Sequence, residues 1–102
     1  MAKYEVEFPE YFTGPGEAEY EAKGYLPDVF VKLSDGRRYR LFFFDSVRAS
    51  QQTKASGMVV EPNLIVVQNI DRHNILSAIE EAANQAYFEE IGEEKTSQNT
   101  NK

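Results

Sequence analysis

The chain has 102 residues, no cysteine, 41% hydrophobic residues and a net charge of −6. That length suits one domain with one core, and the lack of thiols excludes disulfides, thiolate metal sites and cysteine nucleophiles. Charge is segregated: residues 1–25 carry −4, residues 26–60 carry +3 and residues 61–102 carry −5. An acidic whole disfavours broad phosphate-backbone binding and suits attraction to a basic partner.

In chain order, Tyr4, Val6 and Phe8 alternate with Glu5 and Glu7, the period of a half-buried strand. Pro9 and Thr13 to Gly16 end it. Residues 17–23 satisfy two patterns: Ala18, Tyr20 and Ala22 alternate with glutamates, yet the same residues are good helix formers followed by Gly24. The strand-rich sequence that follows favours strand here.

Asp28 to Asp45 predicts a β-hairpin. A two-residue loop would set Leu33 against Arg38 and Val31 against Arg40, mixing apolar and charged residues on one face. A three-residue loop, Ser34 to Gly36, sets Val31 against Tyr39 and Val29 against Leu41, with Gly36 as the left-handed residue of a bulge. The second register leaves one face clean and is the one expected. Asp45 or Ser46 then caps a short helix running to about Ala55 and stopping near Gly57. Leu64 to Val67 is a short, branched apolar run, as in a strand buried on both faces.

Asp71 is an N-cap for the last helix, with Ile70 and Ile75 placed as a hydrophobic staple. Ile75, Ile79, Ala82, Ala83, Ala86 and Ile91 share one face, and Gly92 marks the stop. Residues 93–102 are polar and free of aromatics, as in a disordered tail. The fold class expected is α+β. It has a mainly antiparallel four- to five-stranded sheet with a central hairpin. One short helix and one long C-terminal helix pack on it, within a domain of residues 1–92.

Catalytic groups are sparse. His73, the one histidine, falls at the second position of the last helix, where Asp71 could orient it; no motif ties a serine to the pair. Glu17, Glu19 and Glu21 would share one side of a strand, but their spacing matches no calcium loop. No phosphate loop, dinucleotide fingerprint or zinc spacing is present, so no cofactor or metal is implied.

The basic cluster Arg37-Arg38-Tyr39-Arg40 lies on the hairpin. Phe30, Lys32, Arg38, Arg40, Phe42 and Phe44 would share its outward face, and they form the candidate interaction surface. Basic and aromatic residues on an open sheet can stack single-stranded bases, although the acidic flanks supply partners for those arginines. A small-molecule site would need a cleft lined by Arg48, His73 or Tyr39.

The stretch Val29 to Phe88 resembles small bacterial α+β domains of uncharacterised activity. The resemblance rests on Asp45-Ser46-Val47-Arg48 with Gln51, on Glu61-Pro62-Asn63-Leu64-Ile65-Val66-Val67, and on a helix ending near Tyr87-Phe88. It implies a compact domain and no activity or site residues. Arg48, early in its helix, could reach Asp45 or Glu61.

The leading expectation is a non-catalytic protein-interaction module, self-associating or neutralising a basic partner. No apolar run nears the ~20 residues that span a bilayer, and the first residues lack a signal-peptide core. A cytoplasmic protein without membrane partners is therefore expected.

Overall fold

A computed structural model describes residues 4–89. The elements run β1 (Tyr4–Glu7), α1 (Pro15–Lys23), β2 (Tyr25–Leu33), β3 (Arg38–Asp45), α2 (Ser46–Ser56), β4 (Leu64–Val67) and α3 (Arg72–Asn84), followed by a 3-10 turn at Tyr87–Glu89. The four strands form one sheet in the order β1-β2-β3-β4. The pairs β1/β2 and β2/β3 are antiparallel, and β3/β4 is parallel. The fold is α+β, with a mixed sheet.

The hairpin takes the three-residue loop. Val31 faces Tyr39 and Val29 faces Leu41, and Gly36 has a φ of 99°, a conformation glycine adopts without a Cβ penalty. Strand β2 begins earlier than the alternation suggests, at Tyr25, through a bulge between Leu26 and Val29. One extra residue there lets Leu26 and Val29, three apart, both point into the core. Pro27, with no N–H to pair, is tolerated at such a bulge.

Residues 15–23 form a helix, not a strand. Pro15 at its first position has φ pre-set and needs no N–H partner. Gly24 closes it in the left-handed conformation, with its N–H on the Tyr20 carbonyl. Lys23 pairs with Glu19 one turn back. The helix packs Tyr20 between Tyr11 and Tyr25, with ring centroids at 4.8 and 5.8 Å.

Helix α2 starts as expected: the Asp45 carboxylate accepts the Arg48 N–H at 2.7 Å, and Gly57 ends it in the left-handed conformation. Helix α3 is capped by Asp71 on the Asn74 N–H, and Ile70 and Ile75 are both fully buried. It stops at Asn84, well before Gly92, with Ala86 at a φ of 60°. The reversal brings Phe88 under the hairpin. Tyr39 donates its hydroxyl to the Phe88 carbonyl at 2.7 Å, and the two rings lie 5.0 Å apart. Ile91, Gly92 and the expected tail at 93–102 lie outside the described residues.

The core lies between one sheet face and α3. Val29, Val31, Leu41, Phe43, Ile75 and Ile79 are wholly buried in it, with Phe12 from the loop after β1. Arg72, in the first turn of α3, clamps that loop. Its guanidinium lies 4.4 Å from the Phe8 ring, donates to the Phe12 carbonyl at 2.8 Å and pairs with Glu17 at 2.9 Å.

Candidate functional site

Strand β3 presents two faces. Tyr39, Leu41 and Phe43 enter the core, while Arg38, Arg40, Phe42 and Phe44 take the opposite side. The outward face is less open than its sequence suggests. Phe44 is only 4% exposed, and Phe30 and Phe42 are half-buried. At the Phe44 end the cover comes from Arg48, whose guanidinium lies 4.9 Å from the Tyr25 ring and 6.0 Å from the Phe44 ring. Its stem and the start of α2 thereby cover this end of the sheet. Tyr25, Phe42 and Phe44 continue the aromatic row that begins at Tyr11 and Tyr20.

At the other end of that face the basic side chains are engaged. Arg38 lies 3.9 Å over the Phe30 ring and pairs with Glu7 of β1 at 3.5 Å. Arg40 donates Nε to Asp28 at 2.7 Å. Arg37 pairs with Asp35 at 2.9 Å and with Glu89 at 3.3 Å. Its guanidinium is held more firmly protonated than usual, chiefly by the Glu89 hydrogen bond. The Asp35 carboxyl is held below the usual range, first by the Arg37 backbone N–H. The acidic flanks supply Glu7 and Glu89, while Asp28 and Asp35 come from the basic middle itself. Lys32 is exposed and lies opposite Glu5 in the sheet register.

The catalytic candidates do not converge. His73 is exposed, and Asp71, its would-be orienter, is occupied by Asn74: one oxygen takes the backbone N–H at 2.8 Å, the other the side-chain amide at 3.0 Å. Because α1 is a helix, Glu17, Glu19 and Glu21 do not line up. Glu17 reaches Arg72, and Glu19 reaches Lys23. Among the described residues no three His, Asp or Glu groups are arranged to hold a metal ion. A cleft of about 400 Å³ lies between Tyr4, Glu5, Lys32, Leu33 and Ser34. A second of about 190 Å³ lies between Ser34–Arg37 and Ala83–Glu89. Neither is lined by Arg48, Tyr39 or His73.

The largest departure from expectation is β4. It is an edge strand, with Val66 50% exposed and no described strand on its outer side. A parallel neighbour on one side and helices on either face bury it only in part. The segments flanking β4 in the chain also carry exposed apolar residues: Val47 at the start of α2, and Met58 and Val60 in the connection to β4, 61%, 62% and 76% exposed. Met58 and Val60 are continuous in sequence with the edge, within the stretch from Gly57 to Val67. Its sequence signal was available, since Met58-Val59-Val60 is an apolar run that no helical or strand pattern claims. No helix among the described residues is long and apolar enough to cross a membrane. No protein-family model, curated protein or solved structure matches this chain.

Proposed function

We propose that this protein is a non-catalytic interaction module that takes another protein chain along the open edge of β4. The observation that supports this reading is that β4 has no strand on its outer side among the described residues, while Val66 and the flanking Val47, Met58 and Val60 are exposed. The edge Leu64–Val67 is short, at four residues, but carries no charge and no proline, two of the devices that blunt a sheet edge. The opposite edge, β1, alternates Glu5 and Glu7 and is followed by Pro9. The β1 edge carries charge along its length, and the β4 edge carries none. Exposed apolar residues beside an uncharged edge are a typical docking surface.

The hairpin face is the weaker candidate, because Arg38 and Arg40 are already paired with carboxylates. That pairing also reduces the charge it offers to single-stranded nucleic acid. The scattered His73, Glu17, Glu19 and Glu21 favour binding over catalysis.

The reading is tested by comparing the complexes formed by the unaltered chain and by Val66→Lys, both checked for folding by circular dichroism. Loss of a complex in Val66→Lys, with retention in Arg38→Ala plus Arg40→Ala, is expected. The reverse pattern would return the binding surface to the hairpin.

A further inference from the structure

Resting on that reading, the geometry points to a second copy of this chain as the partner, joined β4 to β4 in antiparallel pairing about a two-fold axis. The backbone of β4 is oriented for it. Phe42 donates its N–H to the Asn63 carbonyl at 3.2 Å, and Phe42 stands opposite Leu64 in the parallel register. In such a ladder alternate residues turn both backbone groups toward one neighbour. Ile65 and Val67 therefore face β3, and Leu64 and Val66 turn their N–H and C=O groups outward. A two-fold pair centred on Ile65 sets Leu64 of each copy against Val66 of the other. It closes four backbone hydrogen bonds using residues within the strand alone.

The placement of the exposed apolar residues selects a second copy over an unrelated strand. An isologous interface requires that the patch be complementary to itself. Val47 is two residues after Asp45, which stands opposite Val67, so it lies at the Val67 end of the edge. Met58 and Val60 precede Leu64 and lie at the other end. Antiparallel pairing brings the Met58 and Val60 end of each copy beside the Val47 end of its partner. Both exposed groups are covered twice, and the axis leaves α3 of each copy on the same side of a continuous sheet.

Electrostatics allow this contact. Each chain carries −6, yet residues 55–68 contain Glu61 as their one charged residue, so the apposed stretch is the least repulsive part of the chain. The remaining repulsion acts between exposed charges and is screened over about 8 Å at 0.15 M salt. Self-association should therefore tighten as salt rises, whereas capture of a basic partner would weaken. A standard interface takes roughly 800 Å² from each partner, about an eighth of the 6561 Å² surface.

The test is sedimentation equilibrium on the full chain from about 10 μM to about 1 mM, at low and high salt. The expected mass rises from 11.7 kDa toward twice that value, and more steeply at high salt. Val66→Lys and, independently, Val60→Lys should raise the dimer dissociation constant about tenfold or more, while Glu5→Lys on the β1 edge should not. Hydrogen exchange distinguishes the geometry: the Leu64 and Val66 amides should become protected with dimerisation. A monomer at every concentration overturns the inference. So does a dimer indifferent to both edge variants, or one whose Leu64 and Val66 amides exchange freely. If the chain stays monomeric but Val66→Lys still abolishes a heterologous complex, the second copy is refuted and the edge-binding module stands.

Discussion

Removing one oxygen from Tyr39 tests how the end of the chain is held to the hairpin. Tyr39 is 2% exposed, donates to the Phe88 carbonyl at 2.7 Å and receives Arg37 Nη1 at 3.3 Å. Tyr39→Phe keeps the ring and its 5.0 Å contact with Phe88, so no cavity term enters. The lost hydrogen bond contributes about 1 kcal/mol net, and an orphaned buried carbonyl adds about 1–3 kcal/mol. Glu89, next to Phe88, is exposed, so water can reach the carbonyl and the second contribution falls at its low end. The expected destabilisation is ~2 kcal/mol, a fall in Tm of roughly 8–16 °C for a domain of this size. Urea unfolding with an unchanged m-value is the assay. A shift worth less than about 0.5 kcal/mol would refute the claim that this bond, and not ring packing alone, docks the turn after α3.

Four further outcomes are expected. Asp45→Ala and Asp71→Ala should each cost about 1 kcal/mol in chemical denaturation through loss of a helix cap, with Asp71 the larger because Asn74 uses both its oxygens. Gly24→Ala should cost more than Gly57→Ala: both positions have positive φ, but a Cβ at Gly24 would meet the Asp45 carboxylate at 2.9 Å, and one at Gly57 meets nothing within 4 Å. The left-handed conformation alone costs roughly 1–2 kcal/mol, so equal Tm losses would remove the clash from the account. For pH, Asp35 titrates below its ordinary value in the folded chain, so its contribution is present above about pH 4 and lost as pH falls through the depressed folded value. The Arg37 amide shift followed by NMR should move in that window and not in Asp35→Asn. Burial raises Tyr11 and Tyr87, so their contribution is complete below about pH 10 and lost as pH rises past it. Stability by urea unfolding should fall as pH rises through that range, and fall less in Tyr87→Phe.

Much of the local structure was legible because it depends on neighbours in sequence. The hairpin register followed from period two and one glycine: the two-residue loop would put Arg38 opposite Leu33 and Arg40 opposite Val31. The starts of α2 and α3 followed from Asp45 and Asp71, since a capping carboxylate reaches an amide three residues away. The candidate surface was legible only in part. Phe30, Lys32, Arg38, Arg40, Phe42 and Phe44 do share a face, but alternation could not reveal that Arg48 covers Phe44 or that Glu7 and Asp28 hold the arginines.

The sequence by itself therefore determined the hairpin, its register, two helix caps and the staple at Ile70 and Ile75, because each is a short-range contest settled by sterics and hydrogen bonding within a few residues. Tertiary structure decided the rest. Residues 17–23 fit both periods, and packing of Tyr20 against Tyr11 and Tyr25 accompanies the helical choice. Helix α3 gave up its last turns because Phe88 gains a buried place beneath Tyr39. Leu64–Val67 reads as a fully covered strand, yet it lies parallel to β3 at the rim. Hydrophobicity says that a segment favours burial, but only the order of strands says how many sides the chain itself can cover. The side of β4 that no described strand covers is where the proposed function resides.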